Sequence, residues 1–184
     1  PPLTTVLSFS ASIGVAVGLA AQDILKNIFG GSVILSDQPF NSGDKIAVGN
    51  YYGEVVEIGL RSTRIVTPDD NLVSIPNSEI MNSSVSNANA GESNCQVVSE
   101  IYLPLSADTQ KCREIATEAA RVSKYVYVNK PVTIIFLNEY KDPHPIIKMK
   151  IKAYVLDIRD EFKFKSDVTE IVVKKLIEEG QIKP

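Results

Sequence analysis

The fold of this chain is decided by residues 3–31, which read LTTVLSFSASIGVAVGLAAQDILKNIFGG. No charged residue occurs before Asp23, and the run from Leu3 to Ala21 is long enough to cross a hydrocarbon core of about 30 Å as a helix. The run lacks a basic flank at its start, so a signal peptide fits poorly. The pattern predicts a membrane-spanning helix; the alternative is a buried helix of a soluble core. The abrupt Pro1-Pro2 start indicates a fragment that earlier membrane helices precede.

The predicted helix is rich in small residues and hydroxyls, which occur in membranes where helices pack closely together. Steps of three or four residues define two neighbouring faces of such a helix. One face has hydroxyls at one end, two bulky apolar residues in the middle, and an amide and an ammonium at the other end. It consists of Ser8, Ser12, Val15, Leu19, Gln22 and Lys26. The adjacent face, which suits packing against a copy of itself, consists of Ala11, Gly14, Gly18 and Ala21.

A ring of such helices would surround a pore that has polar ends and an apolar constriction. An apolar constriction stops ions because it cannot replace their hydration shell. We predict that Val15 and Leu19 form the constriction. The rest of the pore lining is predicted to be Ser8, Ser12, Gln22 and Lys26.

Residues 23–29 have an apolar stripe opposite polar residues, which predicts an amphipathic helix at the membrane face or on the domain below. A spanning helix followed directly by an amphipathic one implies a bend near Gln22–Lys26. Gly30-Gly31 offers a second hinge, so the hinge candidates are Gln22, Asp23, Gly30 and Gly31. Residues 1–36 form the first predicted segment.

Short strands and tight turns begin at residue 37 and predict a small all-β barrel of Sm or SH3 type over residues 37–90. The predicted strands are Lys45–Val48, Tyr51–Ile58, Arg61–Thr67 and Leu72–Ile75, with a further short strand from Ile80. Barrels of this type often bind nucleic acid. Here the basic residues are only Lys45, Arg61 and Arg64, without aromatic residues between them, so no nucleic acid is expected as a partner.

A polar stretch at residues 86–95 marks the predicted boundary of an α/β domain over residues 91–184. Its order of strand, helix, strand, strand and helix is typical of an α+β, ferredoxin-like sandwich that is incomplete. The predicted elements are Gln96–Leu103, Asp108–Ser123, Val132–Glu139, Ile146–Val155 and Asp160–Glu179. Ser106 or Asp108 is expected to cap the first helix, and residues 138–145 to form the hairpin turn.

The remaining residues give no sign of catalysis. The net charge is −3, from 19 basic and 22 acidic residues, and gives no basic footprint. Cys95 and Cys112 are predicted to be reduced structural thiols, and His144 an exposed loop histidine. Acidic pairs such as Asp69-Asp70 lie at turns, where solvated carboxylates are common. Without a phosphate loop, metal-ligand spacing or a Ser/His/Asp set, we expect no catalytic residue, metal or cofactor, and no enzyme.

Five short motifs follow the predicted pore helix at fixed distances along the chain. They are Gln38-Pro39-Phe40, Gly43-Asp44, Gly53-Glu54-Val55, Ile75-Pro76-Asn77 and Ile80. Together with residues 14–31, they resemble the MscS family of small-conductance mechanosensitive ion channels over nearly the whole chain. Each motif alone is weak, and their combination is specific.

The resemblance implies a homoheptameric ring in the inner (cytoplasmic) membrane, with the C-terminal domains enclosing a cytoplasmic vestibule. The two gate-leucine positions of the family fall on Val15 and Leu19. A glycine hinge of the best-known bacterial form falls on Asp23, so both candidate hinge sites stay open. The family's last strand, which closes a small barrel, would follow residue 184.

The function implied is an ion channel that membrane tension opens, releasing ions and small solutes on hypo-osmotic shock. Its partners would be copies of itself, the lipid bilayer, and the permeating ions and solutes. The alternative is a membrane-anchored oligomeric scaffold or binding module without channel activity. A ring-shaped oligomer favours the channel, and a monomer or dimer favours the module.

Overall fold

The structure is a computed structural model that describes residues 2–90, 92–141 and 144–183, without the side chains of residues 141 and 144. Part of the predicted hairpin turn, residues 142 and 143, lies outside the described residues, as does Pro1 of the Pro1-Pro2 start. The chain divides into two compact units, Pro1–Gly91 and Glu92–Pro184.

The first unit begins with one continuous 35-residue helix, α1 (Leu3–Asp37), about 52 Å long at 1.5 Å per residue. The prediction of two successive helices is wrong, because α1 runs through Gln22–Lys26 without interruption. The bend at that stretch stays a prediction. Most residues of the stretch favour helix, and no proline interrupts it. Gln38 ends α1 in a left-handed conformation (φ 47°), with its N–H donating to the Ile34 carbonyl at 3.0 Å. Pro39 cannot extend the helical hydrogen bonding.

Five antiparallel strands follow in the first unit, in the sheet order β4-β3-β2-β1-β5. They are β1 (Lys45–Val48), β2 (Tyr51–Ile58), β3 (Ser62–Val66), β4 (Leu72–Pro76) and β5 (Val85–Asn87), and helix α2 (Asn77–Asn82) lies between β4 and β5. The prediction that Ile80 starts a strand is wrong. Pro76 precedes the first turn of α2, and one helical turn later Ile80 points into the core.

The core of the first unit joins the end of α1 to the sheet. Its buried residues are Ile34, Phe40, Ile46, Val48, Val55, Ile65, Ile75 and Ile80. Phe40, from the Gln38-Pro39-Phe40 motif, is 1% exposed and is the largest of them. The motif therefore turns the chain out of α1 and inserts an aromatic side chain under the sheet.

The second unit has the predicted order of elements. They are β6 (Cys95–Leu103), α3 (Thr109–Val122), β7 (Thr133–Lys141), β8 (His144–Val155), a 3-10 turn (Ile158–Asp160) and α4 (Glu161–Glu178). The strands form an antiparallel sheet in the order β6-β8-β7. The cap of α3 is Asp108, whose Oδ1 accepts from the N–H groups of Gln110 and Lys111 at 2.9 and 3.2 Å.

His144 does not lie in a loop, contrary to the prediction. It begins β8, and its backbone pairs with Lys141 across the hairpin. The connection between β7 and β8 is only two residues long, so the strands extend further than the proline-rich sequence suggested.

One face of the second sheet is covered by α3 and α4. Alternate residues of β6 and β8 point to the helices, and α4 contributes a buried residue every fourth position: Phe164, Val168, Val172 and Leu176. Cys95 and Cys112 are both buried and share no disulfide, and burial raises the pKa of the Cys112 thiol. The opposite face of the sheet is open in this unit.

Candidate functional site

The N-terminal part of α1 makes no packed contacts within the chain. Every residue from Pro2 to Ala20 is exposed, and the two predicted constriction residues are 64% (Val15) and 67% (Leu19) exposed. The helix is long and apolar enough to cross a membrane, with a mean hydropathy of 1.8 over its most apolar stretch. An apolar helix without cover in its own chain requires lipid or other protein around it.

The residues of the predicted pore face show how a polar group can be tolerated on such a helix. The Ser12 hydroxyl donates to the Ser8 carbonyl at 2.8 Å, within the helix itself. Lys26 Nζ lies 3.8 Å from Asp23 Oδ1. The constriction, the pore lining and the packing face of Ala11, Gly14, Gly18 and Ala21 all involve contacts between copies, so their roles stay predictions.

The other end of α1 is seated on the β domain through Gly30 and Gly31, which are both buried. A Cβ atom added to Gly31 would lie 2.5 Å from the Leu60 carbonyl oxygen and 2.5 Å from Asn77 Nδ2. A Cβ atom on Gly30 would lie 3.1 Å from the Asn77 carbonyl. These glycines allow close approach of α1 to the β2–β3 turn and α2, a packing role that the sequence analysis missed.

Asn77, from the Ile75-Pro76-Asn77 motif, is fully buried beneath this contact. Its Nδ2 donates to the carbonyls of Gly59 and Leu60 at 2.9 and 3.1 Å. The Thr63 hydroxyl donates to its Oδ1 at 3.0 Å. Each polar atom of the amide is therefore satisfied, and the residue fixes the turn against which Gly31 packs.

A hydrogen bond connects the polar face of α1 to α2. The Ser78 N–H, in the first turn of α2, donates to Asn27 Oδ1 at 2.9 Å. Asn27 Nδ2 in turn donates to the Asp23 carbonyl at 2.8 Å. The first N–H groups of a helix have no partner within the helix, so a side chain of α1 caps α2.

The Gly43-Asp44 motif forms a second polar cluster in the β domain. Asp44 is 5% exposed and accepts three hydrogen bonds of 2.9 Å, from the Asn41 N–H and the side-chain amides of Asn87 and Asn89. Asn89 also accepts from the Lys45 N–H at 3.0 Å. The carboxylate thus binds β5 and the residues after it to the start of β1.

The comparisons with known proteins agree with these motifs. Residues 23–90 match the family model of the mechanosensitive ion channel β-domain. Over 144 residues the chain is 35% identical to the small-conductance mechanosensitive channel MscMJ of Methanocaldococcus jannaschii, a match that covers 76% of this chain and 40% of the relative. The chain belongs to the MscS family.

Two further matches have lower identity and show how far the resemblance extends. The miniconductance mechanosensitive channel MscM of Escherichia coli is 29% identical over 78% of this chain and 13% of its own length. The closed-state crystal structure of Helicobacter pylori MscS superposes with a TM-score of 0.75 at 21% identity, covering 96% of this chain and 68% of that one, and shows the shared fold. The chain spans less than half the length of these two curated relatives.

The MscS chain also has an ordered charge cluster on the open face of its second sheet. Lys148 Nζ lies 2.9 Å from Glu139 Oε2 and 3.2 Å from Glu100 Oε2, and Lys150 Nζ lies 3.1 Å from Glu100 Oε1. Lys150 and Lys148 hold the pKa of Glu100 below its ordinary value, and Glu139 and Glu100 raise the pKa of Lys148. Within the described ranges, no group of three His, Cys, Asp or Glu side chains could hold a metal ion.

Proposed function

We propose that this chain supplies the pore helix and the cytoplasmic domains of a tension-gated MscS channel that releases ions and small solutes on hypo-osmotic shock. One observation carries the proposal: an apolar helix whose membrane-length half is wholly exposed continues into a half that is seated on a β domain. The match to the mechanosensitive channel β-domain and to a relative named as a mechanosensitive channel supports the proposal. The domains that follow α1 would lie in the cytoplasm, and the helix in the inner membrane.

In the proposed assembly, seven copies form a ring around a central pore. The side chains of Val15 and Leu19 meet those of the other copies and keep the constriction dry at low tension. Ala11, Gly14, Gly18 and Ala21 allow close contact between neighbouring helices. Tension separates the helices, water enters, and ions pass with their hydration shells intact. Gly30, Gly31 and Asn27 anchor each moving helix to its own β domain.

The substitution Leu19→Ser tests the constriction. A hydroxyl at this position makes the ring easier to wet, so the full-length channel should open at lower tension or leak. The measurement is patch-clamp recording of excised membrane patches under graded suction. Val17→Ser is the matched control, because residue 17 lies on the opposite side of the helix from residues 15 and 19. An unchanged threshold for Leu19→Ser would contradict the assignment.

The assembly state separates the channel from the scaffold alternative. The mass of the detergent-solubilised full-length protein, measured by light scattering, is expected to be that of a heptamer. A monomer or dimer would contradict the pore and would favour a membrane-anchored module.

A further inference from the structure

A concave groove in the second unit combines two basic residues with apolar walls. The groove is about 500 Å³ in volume and follows the end of α3. Its walls are Val126, Val128, Pro131 and Val132, and its basic residues are Arg121 and Lys130. None of the side chains that line it is acidic.

The sequence around the groove is more basic than the chain as a whole. No acidic residue occurs between Glu118 and Glu139, although the chain as a whole has a net charge of −3. Three basic residues lie in that interval: Arg121, Lys124 and Lys130. The excess of positive charge is therefore local and coincides with a concavity.

The loop that forms the groove is held in place by its backbone. Val126 pairs with Val155 of β8, and the Tyr127 N–H donates to the Tyr154 carbonyl at 2.6 Å. The Lys130 N–H donates to the Tyr127 carbonyl at 3.0 Å and closes a turn. Lys130 Nζ then lies 5.2 Å from the centroid of the Tyr154 ring. This lysine is positioned by an aromatic ring and keeps its charge unneutralised.

Several carboxylates of the second unit have partners of their own. Asp167 accepts the hydroxyl of Ser123, at the end of α3, and Asp160 forms an ion pair with Lys163 at 2.8 Å. On the open face of the sheet, Lys148 pairs with Glu100 and Glu139, and Lys150 pairs with Glu100. By contrast, Arg121 and Lys130 form no ion pair with any residue that the structure describes.

We propose that this groove binds a small soluble organic anion, with a carboxylate or phosphate group between Arg121 and Lys130 and an apolar body against the valines. Guanidinium and ammonium groups are the usual partners of such oxyanions. The apolar walls favour an anion that has a hydrophobic part over an inorganic one. The site does not depend on the proposed channel activity.

The test uses the full chain in nanodiscs of zwitterionic lipid, with phenyl phosphate and inorganic phosphate as probes in isothermal titration calorimetry. Phenyl phosphate should bind saturably and more tightly than inorganic phosphate. Arg121→Gln and Lys130→Gln should each weaken it about fivefold, and the double variant on the order of tenfold or more, as expected for partly exposed charge contacts. Lys130→Arg should retain most of the affinity.

The matched control is Lys165→Gln combined with Lys174→Gln, which removes the same charge from the exposed face of α4. It should change the affinity less than twofold, because long-range attraction alone is screened by salt. An equal loss in the control, unchanged binding in the Arg121/Lys130 double variant, or no saturable binding would overturn the site. Equal affinity for inorganic phosphate would overturn the role of the apolar walls. If phenyl phosphate no longer binds in discs that contain anionic lipid, the lipid headgroups occupy the groove, and the proposal of a soluble anion is wrong.

Discussion

The two ends of α1 use the same residue type in opposite ways. Gly14 and Gly18, in the exposed half, have no atom outside the adjoining helix backbone within 4 Å of the position where a Cβ would stand. Gly30 and Gly31, in the seated half, have atoms at 3.1 and 2.5 Å from that position. In the seated half, the absence of a side chain lets other parts of the same chain pack against the helix. In the exposed half, nothing in the same chain packs against the glycines.

This difference indicates which contacts complete the fold of a single chain and which need another molecule. The seated end has its partners in place, including Asn77 and the Leu60 carbonyl. The exposed end has small residues and an apolar surface with nothing packed on them. We infer that folding of the β domain requires the seated end, and that assembly requires the exposed end.

The largest effect is expected for Gly31→Ala. The added methyl group would lie 2.5 Å from the backbone oxygen of Leu60, so α1 or the β2–β3 turn must shift. We expect a loss of about 3 kcal/mol in the free energy of unfolding, near the upper end of overpacking costs. The chain has no tryptophan, so near-ultraviolet circular dichroism of the tyrosines during urea unfolding is the suitable measurement. If Gly31→Ala loses no more unfolding free energy than Gly14→Ala, the two ends of α1 do not differ in how closely they pack.

A smaller effect is expected for Asn27→Ala. It removes the acceptor of the Ser78 N–H and leaves the first turn of α2 without a cap, at a cost of about 1 kcal/mol in the same unfolding experiment. Asn27→Asp keeps the acceptor of the Ser78 N–H but loses the donation to the Asp23 carbonyl, so it should lose less stability than Asn27→Ala. If the two variants lose equal stability, the hydrogen bond is not the cause.

The smallest effect on a single chain is expected for Gly14→Ala. A methyl group meets no atom there, and alanine favours helix over glycine by about 1 kcal/mol, so the monomer should keep its stability or gain slightly. The same change should weaken association between copies, because it separates backbones that the proposed ring brings together. Analytical ultracentrifugation in detergent measures this. Equal association of Gly14→Ala and the original protein would remove Gly14 from the packing face.

The elements that local sequence governs were predicted well. The bounds of β1 and β2 agree with the prediction because Gly49-Asn50 marks the turn between them, and Gly49 has a positive φ of 57°. The apolar character of α1 was equally visible. By contrast, β5 was missed, since it is short and lies in a polar stretch, and its place in the sheet comes from pairing with β1.

The contacts of the candidate site could be predicted only in part. The sequence predicts a hinge at Gly30 and Gly31, which stays a prediction, and gives no sign of their packing role, because a pair of glycines looks the same in sequence whether it bends or packs. Their packing partners, Leu60 and Asn77, are far along the chain. The Asp44 cluster was likewise invisible, since its amide partners lie 43 and 45 residues away. The places of Val15 and Leu19 depend on other copies, so they stay predictions.

The short path from Ile34 to Phe40 has a mechanical consequence. Both side chains lie in one core, and the helix stops between them at Gln38 and Pro39. A pull along the axis of α1 is therefore delivered within a few residues to the centre of the β domain, with no slack segment to absorb it. The β domain is therefore a rigid attachment point for the helix. A displacement of the N-terminal end of α1 must either rotate the whole β domain or strain the helix.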